Sequence, residues 1–132
     1  MEKSEGVTLI ELLLVIAIIG ILSTLSYPSY LSYMVQTRRN DAKVMLIKAQ
    51  LMQSHLHILY PYSDVAEDIS LPEESLYYNF SIVSADNNHY LIKAVAKQNM
   101  SQVNDALACQ TLCIDQDNAH TTDGELNNDE CW

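Results

Sequence analysis

The sequence predicts an α+β fold in which one long N-terminal helix packs on a small antiparallel β-meander, and three observations predict it. Residues 7–27 are an almost unbroken apolar run, residues 29–60 continue with apolar side chains at helical spacing, and two strand-like segments flank an Asp-Asn-Asn turn further on. The chain has 132 residues, and with its first fifth so apolar the water-soluble part amounts to one small head of about 100 residues. Formal net charge is −10, seven Lys and Arg against seventeen Asp and Glu. That balance argues against phosphate backbones and anionic lipid as general partners.

Val7 to Tyr27 is long enough, at about 1.5 Å rise per residue, to cross the roughly 30 Å hydrocarbon layer as a helix. A cleaved secretory signal would have a basic start and a small-x-small site after a shorter apolar core. Here Lys3 stands against Glu2 and Glu5, and no Ala-x-Ala follows. A plain membrane anchor leaves Glu11 unexplained. An ionisable group inside a membrane helix costs a few kcal/mol, so it marks a functional site with a partner.

The stretch Gly6-Val7-Thr8-Leu9-Ile10-Glu11 resembles the class III signal of type IV pilins and pseudopilins, a hydrophilic leader ending in glycine with a glutamate fifth in the mature chain. The resemblance continues through Gly20 and "YPSY", where Pro28 falls at the family's helix-kinking proline. It implies a leader over 1–6, cleavage by prepilin peptidase between Gly6 and Val7, N-methylation of Val7, and a transmembrane and assembly half over 7–28. It further implies that Glu11 pairs with the N-terminal ammonium of a neighbouring subunit. A carboxylate and an ammonium buried together attract strongly, whereas each alone in lipid is costly. Two positions depart from the family pattern: Val7 stands where phenylalanine is usual, and the acidic leader leaves Lys3 alone to hold it in the cytoplasm.

Beyond Pro28 the apolar residues Leu31, Met34, Val35, Ala42, Met45, Ala49, Met52, Leu56 and Leu59 form one stripe of an amphipathic helix over 29–60, broken mainly by Arg38. The methionines read as core and not as a cofactor box. Pro61 ends the helix near Tyr60, since proline disfavours helix in the residue before it. Gly20 and Pro28 are its weak points.

Residues 61–132 are the expected head. Residues 61–75 lack periodicity and match the pilin loop joining helix to sheet. Residues 76–85 and 89–97 form a hairpin around Asp86-Asn87-Asn88, with Tyr78, Phe80 and Ile82 facing the same core as Tyr90, Ile92, Ala94 and Ala96. Residues 107–114 are a third strand with Leu112 and Ile114 inward. The tail from Asp115 reads as a solvated acidic loop. Asp115-x-Asp117 begins like a calcium loop, but Ala119 and His120 occupy the places of a ligand and the turn glycine. His55, His57, His89 and His120 are not spaced to share a metal, so no metal or other cofactor is expected.

Cys109, Cys113 and Cys131 permit one disulfide outside the cytoplasm and lack a fourth ligand for zinc. In a straight strand Cys113 lies about 13 Å from Cys109, too far for a bridge, although it is able to compete for Cys131. The segments "YYNFSIV", "HYLIKAVA", "CQTLCID" and "ECW" resemble minor pilins of the PilE type, with Gln110 in place of a glycine and the glycine-rich link reduced to Gly124. That resemblance implies a Cys109–Cys131 disulfide closing the D-region.

No nucleophile elbow, phosphate loop or paired catalytic carboxylate is present, so no enzyme activity is expected. The resemblance implies a minor type IV pilin, stored in the bacterial inner membrane with a periplasmic head and then carried into the extracellular pilus. Its partners would be other pilin subunits, prepilin peptidase, the inner-membrane assembly platform and, before assembly, the lipid bilayer. Such pili serve adhesion, twitching motility and DNA uptake. Two alternatives are a DNA-binding minor pilin of the ComP type and a type II secretion pseudopilin. Direct nucleic-acid binding is the less favoured reading, because only Lys93 and Lys97 stand among the many carboxylates after Asp86.

Overall fold

The computed structural model describes residues 6–122, 125–126 and 131–132. Residues 1–5, most of the expected leader, together with Gly124 and 127–130 of the D-region, lie outside the described residues. Helix α1 runs Leu9–Leu56 and is followed by strands β1 Tyr78–Ala85, β2 Tyr90–Ala96, β3 Thr111–Asp115, β4 His120–Thr122 and β5 Glu125–Leu126. Two short 3-10 turns, Ser101–Asn104 and Leu107–Cys109, lie between β2 and β3. The strands form one antiparallel sheet in chain order, β1-β2-β3-β4-β5. By contacts the chain divides after Met34 into two compact units.

The first unit is the N-terminal part of α1, whose apolar side chains are exposed up to Tyr33, with Met34 half-buried. The helix is long and apolar enough to cross a membrane. Two of its hydroxyls are satisfied locally: Ser23 Oγ donates to the Ile19 carbonyl at 2.7 Å and Thr24 Oγ1 to that of Ile21 at 2.7 Å. Bonding back to the preceding turn lets these polar side chains sit in hydrocarbon without an unsatisfied donor. Pro28 lies within α1, and the helix continues on both sides of it.

In the second unit the buried face of α1 is Ala42, Leu46, Ala49 and Gln53, at helical spacing, flanked by the half-buried Met45, Met52 and Leu56. Leu46, absent from the sequence-derived stripe, is its centre, whereas Leu59 is 80 % exposed. The regular helix stops at Leu56 and not at Tyr60, although the amides of Leu59 and Tyr60 both still bond the Leu56 carbonyl at 3.1 Å. These closing bonds are the tightened last turn that satisfies orphan carbonyls at a helix end.

Gln53 explains the early stop. Its buried amide donates to the Ser63 carbonyl at 2.6 Å and accepts from the Ser63 amide at 2.8 Å, tying the returning chain to the helix. His57 stacks on Tyr62 with ring centroids 3.8 Å apart, and Tyr62 meets Tyr90 edge-on at 4.7 Å. These contacts connect the end of α1 to β2.

The hairpin follows the expected pattern. Tyr78 pairs with Ala96, Phe80 with Ala94 and Ile82 with Ile92, and Asp86 Oδ1 accepts the amides of Asn88 and His89 at 2.8 Å to close the turn. A bulge between Ile82 and Ser84 leaves Ile82 half-buried, so the inward row of β1 fades before its end. Leu112 and Ile114 are fully buried, as alternation requires.

Two expectations are corrected. The third strand begins at Thr111, because Leu107–Cys109 coil into a 3-10 turn that leaves Leu107 86 % exposed. The tail is not a free acidic loop, since β4 and β5 extend the sheet. Asp115 Oδ1 accepts the amides of Asp117 at 2.9 Å and Ala119 at 2.8 Å, and Asn118 adopts φ 59°, turning the chain back along β3. With β4 beside it, Cys113 is 2 % exposed although it alternates with the inward Leu112 and Ile114.

Cys109 and Cys131 are disulfide-bonded with Cα atoms 5.1 Å apart, 22 residues apart in the chain. Both are buried, and Trp132 packs against the same core. Replacing Cys131 by serine is expected to cost about 3 kcal/mol through the lost constraint on the unfolded chain. Chemical denaturation of the variant beside the parent measures it.

Candidate assembly interface

The N-terminus of α1 is built around the carboxylate of Glu11. Thr8 precedes the helix, and both its amide (2.8 Å) and its hydroxyl (2.7 Å) donate to Glu11 Oε2. The Glu11 amide in turn donates to Thr8 Oγ1 at 3.3 Å. This is a reciprocal capping box, signalled in the sequence by Thr-x-x-Glu and missed when Glu11 was read only as an intersubunit contact. Glu11 therefore starts its own helix while its second oxygen, Oε1, makes none of these bonds.

Gly6 and Val7 precede the helix, with Val7 78 % exposed. A Cβ built on Gly6 or on Gly20 would meet nothing within 4 Å. Neither glycine is required by the packing of this chain, and Gly20 costs its helix about 1 kcal/mol relative to alanine. The fold supplies no reason for either glycine.

In the second unit α1 carries a stripe that the sequence reading missed. Val44, Ile47 and Leu51 are 64, 42 and 65 % exposed and recur at spacings of three and four. At 100° per residue they lie on the side of the helix opposite Ala42, Leu46, Ala49 and Gln53. The stripe was not separable in the sequence, because apolar residues on two opposite faces blur a single-stripe pattern.

A buried polar cluster fixes this half of α1 against the loop between β2 and β3. Arg39 meets Asp105 in a two-pronged ion pair, with Nε to Oδ2 at 2.8 Å and Nη2 to Oδ1, the side chains being 12 % and 3 % exposed. Gln102 Nε2 lies in donor range of the Val35 carbonyl (3.1 Å), the Tyr78 hydroxyl (2.9 Å) and Asp105 Oδ2 (3.2 Å). Arg38 lies over the Tyr77 ring, 4.0 Å from its centroid, and donates to Ser101 Oγ. Arg38, which interrupts the stripe in sequence, is thus a packing residue.

Burial, reinforced by Asp105, pushes the Tyr78 hydroxyl up to about 12, and burial pushes Tyr90 up to about 12 as well. Both lie above the unfolded value of about 10, so the folded state holds these protons longer. Their contribution to stability is complete below pH 10 and is lost as pH rises from 10 towards 12. Denaturation midpoints are expected to fall across that window, together with the appearance of phenolate absorbance.

The cations of the second unit are largely engaged or half-buried. Lys97 Nζ bonds Glu74 Oε2 at 2.8 Å, Arg39 holds Asp105, and Lys43 and Lys93 are half-buried, while Lys48 is exposed. Asp115 Oδ1 is committed to its turn.

Residues 28–113 match the family model of the type IV minor pilin ComP, DNA uptake sequence receptor, and residues 1–27 match the prokaryotic N-terminal methylation motif. A type IV pilin from Shewanella oneidensis is 27 % identical, with a TM-score of 0.53 over 74 % of this chain and 97 % of that one. The non-core minor pilin PilV of Neisseria meningitidis shares the fold at 17 % identity, with a TM-score of 0.51 over 76 % of this chain and 95 % of its own. No curated protein matches.

Proposed function

The chain belongs to the ComP family of type IV minor pilins, and we propose that it is cut between Gly6 and Val7, held in the inner membrane with its head in the periplasm, and then built into the pilus. The observation that carries this reading is the unsatisfied apolar surface of α1, exposed all round up to Tyr33 in the first unit and along Val44, Ile47 and Leu51 in the second. Lipid covers the first part before assembly, and neighbouring pilin helices cover both parts after it. In this reading residues 1–6 are the leader, 7–28 the transmembrane and assembly half, 29–60 the amphipathic half and 61–132 the head.

Prepilin peptidase cleaves after Gly6 and methylates Val7, and the assembly platform recruits the mature chain. Glu11 Oε1 faces the ammonium of a neighbour while Oε2 keeps the cap. Gly20 gives neighbouring helices room to approach, and Pro28 with Gly20 marks where the helix loosens. The pilus then serves adhesion, twitching motility or DNA uptake.

The N-terminal peptide of the chain, recovered from membranes and from sheared filaments, tests this by mass. A start at Val7 with one added methyl in both fractions is expected. An intact Met1, or a start beyond Gly20, rejects the reading.

The matched description favours a second reading, a receptor for a DNA uptake sequence. Phosphate contacts would fall to Lys48, Lys43 and Lys93, against the acidic balance of the head. A mobility shift with the full-length protein in detergent at low salt separates the two. Retardation that weakens steeply with added salt would place DNA among the partners.

A further inference from the structure

We propose that residues 26–33 form an interfacial girdle, seated in the phospholipid headgroup layer on the periplasmic face, that fixes how deep α1 and its Glu11 lie in the bilayer. The inference rests on the reading of the chain as an inner-membrane protein with a periplasmic head. The segment is a triplet repeat, Ser26-Tyr27-Pro28, Ser29-Tyr30-Leu31, Ser32-Tyr33. Tyr27, Tyr30 and Tyr33 are 66, 59 and 65 % exposed, and the three serines are exposed as well.

Length alone leaves the depth open. Residues 12–37 carry no charge and measure about 39 Å as a helix, about 9 Å more than the roughly 30 Å hydrocarbon layer. A helix with that much to spare is free to slide. The repeat removes the freedom, because a tyrosine ring has an apolar body and a polar tip and prefers the boundary between hydrocarbon and water. From Tyr27 to Tyr33 the axis rises about 9 Å, comparable with the headgroup layer on one side of a bilayer.

Hydrogen bonding changes at the same place. Ser23 and Thr24 donate to carbonyls of their own helix, whereas among the described residues the hydroxyls of Ser26, Ser29 and Ser32 make no such bond. Pro28 has no N–H to give the Thr24 carbonyl. Hydrocarbon offers these groups nothing, but headgroup phosphates and ester carbonyls accept from hydroxyls, and interfacial water donates to a carbonyl.

The repeat also has the wrong shape for a single helical neighbour. Each step of three residues turns about 300°, so the tyrosines spread over about 120° of the helix and the serines widen the hydroxyl band to about 220°. A neighbouring helix packs on one stripe, whereas a lipid layer surrounds the helix and meets a band. With Tyr27 at the hydrocarbon boundary, Glu11 lies about 24 Å deeper along the axis and so about 6 Å from the opposite boundary. There the lone carboxylate stays close to water and costs less than at the bilayer centre, until a neighbour's ammonium meets it.

The test is thiol labelling of the full-length chain in the membranes of intact cells with a permeabilised outer membrane, using a membrane-impermeant maleimide. Leu22→Cys, Leu25→Cys, Ser29→Cys, Ser32→Cys and Gln36→Cys are read singly against the parent, whose free thiol, Cys113, is buried. Labelling is expected at positions 32 and 36, in part at 29, and not at 22 or 25. Adding Tyr27→Leu, Tyr30→Leu and Tyr33→Leu together extends the apolar run, and labelling at position 32 is expected to fall to the level of position 25. Tryptophan at the same three positions is expected to restore it. A boundary outside residues 26–33 in the singly substituted chains, one that the leucines do not move, or a leucine effect that tryptophan does not reverse overturns the girdle and leaves the membrane span intact. Labelling at all five positions overturns the membrane reading and the girdle with it.

Discussion

Replacing Asp105 by alanine is expected to destabilise the head by about 3 to 5 kcal/mol, since it leaves the Arg39 guanidinium nearly buried without its counter-charge. The loss extends beyond the ion pair. Asp105 also accepts the Ala106 amide at 2.8 Å and lies 3.2 Å from Gln102 Nε2, which reaches both Tyr78 and the Val35 carbonyl. Removing the carboxylate therefore loosens α1, β1 and the loop before β3 together. The size of this loss is large beside a small domain's total stability of about 5 to 15 kcal/mol. Chemical denaturation of the parent, Asp105→Ala, Arg39→Met and the double variant measures the coupling. The double variant is expected to be more stable than Asp105→Ala alone, because a buried charge without a partner costs more than an apolar pair. A single variant within 1 kcal/mol of the parent would mean that water reaches Arg39 and screens it.

That cluster was invisible in the sequence for a physical reason. Gln102 and Asp105 sit in a stretch of polar residues with no periodicity, and burial of such residues follows only from their partners, which lie more than 60 positions away on α1. Gln53 was lost in the same way, as a polar residue on the buried face of a helix. What repeats locally was readable: the apolar run, the alternation in β1 and β2, and the Asp-Asn-Asn turn. Leu46 and the Val44–Leu51 stripe were not, because α1 is apolar on two faces and one stripe cannot describe both. The 3-10 turn at Leu107 and the extra strands β4 and β5 also escaped, since a short polar strand has no pattern of its own and is set by the turn at Asp115 that delivers it to β3. The Cys109–Cys131 pairing was legible only through family resemblance, as three cysteines leave the choice open.

Glu11→Gln is expected to leave the chain in the membrane and to remove it almost completely from filaments. Glutamine serves a capping box as glutamate does, so the bonds from Thr8 and the start of α1 survive the substitution. What disappears is the charge that Oε1 would present to a neighbour's ammonium. Breaking such a pair where water is excluded leaves one charge without its partner, which costs more than losing an exposed pair. Glu11→Ala removes cap and charge together, and Thr8→Val removes the hydroxyl half of the cap while keeping the charge. The three variants therefore separate two roles that one side chain combines. If charge governs assembly, the Gln and Ala variants fail equally and the Val variant assembles to a substantial extent. If the cap governs it, the Gln variant assembles normally while Ala and Val fail. Quantitative immunoblots of sheared filaments against membranes read out the ratio, and normal incorporation of the Gln variant would remove Glu11 from the intersubunit contact.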